Sequence, residues 1–78
     1  NLNMLYLERN FLSRINKEMF YGLEILSDLI LSNNMINNLG FMPFFYMKNL
    51  KYLSINNNQI KSINKNTFIN LINLKLLD

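Results

Sequence analysis

The chain has 78 residues, no cysteine and no histidine, and its eight Lys and Arg against five acids give a formal net charge of +3. Without cysteine, a disulfide scaffold and thiol-based metal sites are excluded within this segment. The absence of both cysteine and histidine also leaves the serines without a base to activate them, which argues against nucleophilic catalysis.

Apolar residues recur every 24 residues along the whole sequence, which indicates an internal repeat. Each unit follows the pattern L-x-x-L-x-[LI]-x-x-N-x-[LI]-x-x-[IL]-x-x-x-x-F-x-x-[LM]. The units begin at Leu2, Leu26, Leu50 and Leu74. Three full repeats and the start of a fourth therefore divide the chain: 2–25, 26–49, 50–73 and 74–78. Stacked units can share one core, which a globular chain this short would barely form.

The pattern resembles the leucine-rich repeat, and the position of its Phe is typical of the 24-residue class found in extracellular receptors and proteoglycans. The resemblance implies an α/β solenoid, with parallel β-strands on a concave face and irregular or short helical limbs on the convex side. We expect residues 1–78 to be a segment of a longer solenoid, because the sequence shows no capping unit.

The first unit opens with the alternation of a β-strand, in which Leu5 and Leu7 face the core. Met4, Tyr6 and Glu8 alternate with them and face the opposite way, onto the concave surface. Tyrosine at a protein surface is enriched where proteins meet. We therefore predict that a protein or peptide ligand is bound on the concave face by residues from three successive strands: Met4, Tyr6, Glu8, Asp28, Ile30, Tyr52, Ser54 and Asn56.

An asparagine follows each strand at the same phase of the repeat, at Asn10, Asn34 and Asn58. At this point the chain turns away from the sheet, and backbone donors and acceptors lose their partners. A buried amide can satisfy both kinds of group. We predict a structural asparagine ladder here rather than a ligand site.

The return limbs carry the aromatic residues of the pattern, which a stacked column in the core would accommodate. These residues are Phe20, Phe44 and Phe68. The second return limb, residues 40–47, is almost entirely apolar, and Phe41, Phe45 and Tyr46 are additional to the pattern. These extra residues either contact an adjoining domain or thicken the core.

The remaining composition predicts neither an enzyme nor a cofactor. The acids fall at different phases of the repeat, so no carboxylate pair or metal cage is suggested by their spacing. The basic residues are scattered rather than clustered, so we expect no nucleic-acid binding. The longest apolar run, 41–47, has seven residues against the roughly 20 that cross a bilayer, so we expect no membrane contact by this segment.

Several stretches of the chain resemble the middle repeats of the relaxin-family peptide receptors, which are G-protein-coupled receptors with a leucine-rich ectodomain. The stretches are Leu12-Ser13-Arg14-Ile15, Phe20-Tyr21-Gly22-Leu23, Asn33-Asn34, Pro43, Met47, Leu50 and Thr67-Phe68-Ile69. Much of this match is repeat consensus, but the Ser-Arg-Ile and Phe-Tyr-Gly-Leu runs, Pro43 and Thr67-Phe68-Ile69 lie largely outside it. The resemblance implies a concave face that holds a peptide hormone through acidic pairs and a hydrophobic contact. Here Met4 replaces an aromatic contact, and Ser54 and Asn56 stand where vertebrate members have an acidic pair. Ser and Asn lack the charge-assisted bidentate bonds that carboxylates offer to arginine.

Two functions therefore stay open from the sequence. The first is a ligand-binding segment of a relaxin-receptor-like ectodomain, on the extracellular side of the plasma membrane. The second is an intracellular scaffold in the cytoplasm, whose concave face docks another protein. The phased Phe favours the first, whereas the absence of cysteine and of glycosylation sequons favours the second.

Overall fold

A computed structural model describes residues 3–78, which form a single parallel sheet with a return limb between successive strands. The strands are β1 (Met4–Tyr6), β2 (Asp28–Ile30), β3 (Tyr52–Ser54) and β4 (Leu76–Leu77). They are hydrogen-bonded in chain order, and all three pairs are parallel. The predicted solenoid with parallel strands is confirmed. Leu2, which opens the repeat pattern, lies outside the described residues.

The strands pair with an offset of one repeat. Leu5 lies opposite Leu29, and Leu29 lies opposite Leu53. A slip of one residue would turn every buried leucine of a strand to solvent, because successive side chains alternate between the two faces. The repeat length seen in the sequence is therefore also the register of the sheet.

The return limbs differ in regularity. The first contains a 3₁₀ helix at Lys17–Phe20, which begins after Asn16, and the Asn16 Oδ1 accepts a hydrogen bond from the Met19 backbone N–H at 3.1 Å. Gly40 occupies the matching position in the second limb and has no side chain to form this cap. In the third limb, Asn64 instead accepts from the N–H of Asn66. Within residues 3–78 the predicted helical character of the limbs is limited to the first one.

The core lies between the sheet and the return limbs. The rings of Phe20 and Phe44 are stacked with their centroids 6.2 Å apart, and those of Phe44 and Phe68 are stacked at 6.0 Å. Phe20 and Phe44 are fully buried, whereas Phe68 is half-buried. This column extends the core along the axis on which the units stack.

Ile63 departs from the burial that the repeat pattern predicts. Ile15 and Leu39 are buried, but Ile63, at the same phase of the third unit, is 53% exposed. Residues 74–78 add a strand beside the third unit but no return limb that could cover Ile63. In a solenoid, each unit supplies one wall of its neighbour's core.

Replacing Leu29 by Ala tests the register. Leu29 is fully buried on an interior strand, so its truncation should lower the free energy of unfolding by about 2–5 kcal/mol. Urea denaturation followed by circular dichroism measures this loss. Ile72→Ala, at an exposed position, is the control and should change stability by less than about 0.5 kcal/mol. Equal small losses for both variants would contradict the register.

Candidate functional site

The candidate site is the solvent side of the sheet, called the strand face below. The register brings its side chains together in two rows that cross the strands. The first row is Met4, Asp28, Tyr52 and Leu76. The second row is Tyr6, Ile30 and Ser54. Cross-strand neighbours of this kind have side chains close enough to form one continuous surface.

Apolar side chains form a cluster on the strand face across β1, β2 and β3. Tyr6 is 57% exposed and Met4 is similarly open, while Ile30 and Tyr52 are half-buried beside them. The Tyr6 hydroxyl lies 3.9 Å from the Met4 sulfur, which places these two side chains in contact along β1. Four apolar side chains therefore form a surface that water alone does not favour.

Ser54 differs from the other predicted contact residues because it is only 3% exposed. Its hydroxyl donates to the Oδ1 of Asn56 at 3.2 Å. The Asn56 side chain is exposed in part, and its Nδ2 lies 3.4 Å from the Oδ2 of Asp78. A ligand approaching this corner would thus meet the Asn56 amide and the Asp78 carboxylate before the Ser54 hydroxyl.

The charged groups among these side chains are acidic. Glu8 and Asp28 are both partly buried, and Asp28 accepts a hydrogen bond from the Ser27 hydroxyl at 2.8 Å. Two exposed lysines, Lys51 and Lys75, come directly before β3 and β4 at the rim of this surface. The strand face therefore combines an apolar cluster with scattered carboxylates and a basic rim on one side.

The residues predicted from the sequence did not include two that belong to this surface. Leu76 is the cross-strand partner of Tyr52 and is exposed, and Asp78 contacts Asn56. The repeat pattern could have predicted both residues, because Leu76 and Asp78 are at the phases of Tyr52 and Ser54. The fourth unit contributes to the strand face even though only its first residues are in the chain.

At the end of β2, the Asn34 side chain joins two units. Its Nδ2 donates to the carbonyl oxygen of Leu7 at 2.9 Å and to that of Leu31 at 3.0 Å. Its Oδ1 accepts from the backbone N–H groups of Asn10 at 2.7 Å and Leu12 at 3.0 Å. Asn34 is buried, so these four bonds satisfy backbone groups that water does not reach.

Asn58 repeats this arrangement one unit later. Its Nδ2 donates to the carbonyls of Leu31 and Ile55, both at 3.0 Å, and its Oδ1 accepts from the Ile36 N–H at 2.9 Å. Asn10 differs, because its side-chain amide bonds only within its own turn, to the carbonyls of Leu7 and Glu8, and is exposed. The inter-unit bonds of these side chains are backbone contacts, which leaves the amides little capacity for a ligand.

A second set of asparagine amides joins the units on the side where each limb returns to the sheet. Asn49 Nδ2 donates to the Glu24 carbonyl at 2.9 Å, and Asn73 Nδ2 donates to the Lys48 carbonyl at 2.8 Å. Asn49 and Asn73 are one repeat apart, but the first unit has Ile25 at this phase. The repeat pattern did not predict this set, because only two of the three units carry it.

Neither a metal site nor a membrane span is found in residues 3–78. No group of three or more acidic, histidine or cysteine side chains is placed to hold a metal ion in this part of the chain. The same residues include no helix with the length and apolar character that a bilayer crossing requires.

Comparison with known proteins assigns a repeat class to this geometry. A family model described as leucine rich repeat matches residues 1–43 and again residues 42–78. The two matches together cover the whole chain. No curated protein matches the sequence.

Substitution of Asn34 tests the asparagine contacts. Asn34→Ala leaves buried backbone groups of two units without partners and should lower the free energy of unfolding by about 1–3 kcal/mol. Asn10→Ala is the matched control, because its exposed amide serves only its own turn, and should cost less than about 1 kcal/mol. Thermal and urea unfolding measure both. An equal cost for the two variants would remove the inter-unit role of Asn34.

Proposed function

Since the chain belongs to the leucine-rich repeat family, whose members are generally non-catalytic modules that bind proteins, we propose that its strand face is a binding site for a protein or peptide partner. The observation that carries this proposal is the exposed apolar surface formed by Met4, Tyr6, Ile30 and Tyr52. A sheet surface facing only water is expected to carry polar residues at these positions.

The chemistry of the strand face indicates what it would recognise. Tyr6 and Tyr52 offer wide aromatic contacts that retain a polar hydroxyl, a combination common at the centres of protein interfaces. Asp28 and Asp78 offer carboxylates beside them. A partner segment with apolar side chains and at least one Lys or Arg would complement both features.

We propose a receptor ectodomain on the extracellular side of the plasma membrane as the setting of this site. The support is the resemblance of Leu12-Ser13-Arg14-Ile15 and Phe20-Tyr21-Gly22-Leu23 to relaxin-family receptors. The corner formed by Ser54 and Asn56 does not offer the acidic pair of the vertebrate receptors, and Ser54 is buried. A hormone of the relaxin type would therefore be held through the apolar cluster and Asp28 or Asp78 rather than through that pair.

Site-specific photocrosslinking tests the binding site while the partner is still unidentified. The full-length protein is produced in cells of its source organism with a photoreactive phenylalanine analogue at position 6, 52 or 72. Adducts at positions 6 and 52 should contain the same partner, because both positions lie on the strand face. Position 72 is exposed but is not on a strand, so it should give no adduct with that partner. The same adduct at all three positions would contradict the proposal.

Alanine substitutions then measure the contribution of each tyrosine. Tyr6→Ala and Tyr52→Ala should each weaken binding of the crosslinked partner by more than about 1 kcal/mol, as truncation of a central interface aromatic does. Calorimetric titration measures the affinity, and urea unfolding should show nearly unchanged stability. Tyr21→Ala is the control, because Tyr21 is exposed on a return limb. Parallel losses of stability and binding would assign Tyr6 and Tyr52 to packing instead.

The full-length transcript of the source tests the cellular setting. Cysteine-rich capping units and seven apolar spans downstream of the repeats would agree with a receptor, and a synthetic relaxin-like peptide would then be the first ligand to titrate. Polar helical capping units without membrane spans would contradict the receptor and indicate an intracellular scaffold. The strand-face proposal survives either result, because it depends on the crosslinking alone.

A further inference from the structure

The second return limb carries an exposed aromatic surface that the strand face does not explain. Phe41 is 65% exposed, Tyr21 on the preceding limb is 72% exposed, and Phe45 is also exposed. We call Tyr21, Phe41, Phe45 and Tyr46 the convex aromatic patch. It is formed by return limbs, whereas the strand face is formed by strands.

Tyr46 contacts two of the other side chains of this patch. The ring of Tyr46 lies edge-on to Tyr21 and to Phe45, with centroid separations of 5.5 Å in both pairs. The Lys17 ammonium lies 5.5 Å from the centre of the Phe45 ring, within reach of a cation–π interaction. The patch therefore joins side chains of two repeats and includes a positive charge at its border.

Two of the extra aromatic residues, Phe41 and Phe45, do not thicken the core. In the same limb Pro43, Phe44 and Met47 are fully buried and already fill the space behind the sheet. Phe41 and Phe45 flank these residues and remain exposed. The interpretation of Phe41 and Phe45 as core residues is therefore wrong.

The backbone of the second limb is held in place where the patch begins. Gly40 has a positive φ of 71°, and a Cβ at this position would lie 3.0 Å from the Ile15 carbonyl oxygen. Only glycine permits both this conformation and this close approach. On the other side, Asn70 Nδ2 donates to the Phe45 carbonyl at 3.1 Å. Contacts with the first and third units thus present the limb in a defined position.

Lys17 borders the patch at Phe45, and Lys65 follows Phe41 by one repeat. Residues 17, 41 and 65 are at the same phase of successive repeats, so Phe41 lies between the phases of Lys17 and Lys65. Glu18, on the 3₁₀ helix with Lys17, is the acid closest in sequence to this border. The Lys17 ammonium at the Phe45 ring, with Lys65 at the same phase of the third limb, complements a partner that is both apolar and negatively charged.

We propose that the convex aromatic patch is a second docking surface, and that it binds an acidic amphipathic segment of a partner protein. Apolar side chains of the segment cover Tyr21, Phe41 and Phe45. Its carboxylates lie near Lys17 and Lys65. Because the patch and the strand face share no residue, two partners can be bound by one repeat array.

The probe is a synthetic amphipathic helical peptide of about 18 residues, with Leu and Phe on one face and Glu on the other. A peptide with every Glu replaced by Lys, and another with every apolar residue replaced by Ser, serve as controls. Binding of the fluorescently labelled peptides to the protein is measured by anisotropy at low and high salt. The acidic peptide should bind at least about tenfold more tightly than either control, and added salt should weaken it.

Variants assign the binding to the patch. Phe41→Ser should weaken the acidic peptide at least about fivefold, and Lys17→Gln should weaken it and reduce its salt dependence. Phe11→Ser is the matched control, because Phe11 is an exposed phenylalanine outside the patch, and should leave binding unchanged. Tyr6→Ala should also leave it unchanged, which separates this surface from the strand face. Thermal unfolding of each variant verifies that it is folded.

Three outcomes would overturn the proposal. The first is equal binding of the acidic and lysine peptides, which would remove the charge complementarity. The second is equal loss of binding in Phe41→Ser and Phe11→Ser, which would indicate non-specific apolar contact. The third is binding of vesicles of phosphatidylcholine and phosphatidylserine that depends on Phe41 and Lys17 when the acidic peptide does not bind, which would assign the patch to a membrane surface.

Discussion

The side-chain amide of Asn34 forms the interaction on which the rest of this structure depends. A parallel sheet leaves backbone groups unpaired wherever a strand ends and the chain turns away. Asn34 donates to three carbonyls and accepts from two N–H groups, and these five partners belong to two consecutive units. Asn58 also bonds to two units one repeat later, through the Leu31 carbonyl and the Ile36 N–H, so the turns are fixed relative to one another. The register of the strands, and with it the strand face, follows from that alignment.

The sequence predicted most of the fold because periodicity determines both burial and register in a repeat array. The alternation around Leu29 and its recurrence at Leu53 were sufficient to orient the strands. Local events were less predictable. Asn16 accepts a hydrogen bond from the residue three positions later and caps a 3₁₀ helix. Asn64, at the same phase of the third unit, accepts from the residue two positions later, and a turn follows instead of a helix. Ile63 is exposed because no return limb of a following unit covers it among residues 3–78. A prediction from the repeat pattern assumes such cover for every unit.

The candidate site was predictable in outline and less so in detail. The strand positions that face away from the core follow from the period of a strand, and Tyr6 and Met4 are open as expected. The burial of Ser54 was not predictable, because the exposure of so small a side chain is set by its larger neighbours. Some of the many asparagines also have a structural role that could not be predicted from composition. Asn49 and Asn73 bridge units on the returning side, at a phase that the first repeat leaves to an isoleucine.

The strands follow one another in the sheet in the same order as in the chain, and this has a mechanical consequence. Within residues 3–78, each strand contacts only the strands of the preceding and following units. A pulling force applied along such a stack loads one interface after another instead of shearing many hydrogen bonds at once. An array with these connections would lengthen in steps of one unit, each releasing a similar length of chain, and would recover by adding units back onto an intact neighbour. The sequential connection of units that forms the binding surfaces therefore also makes the array extensible under tension.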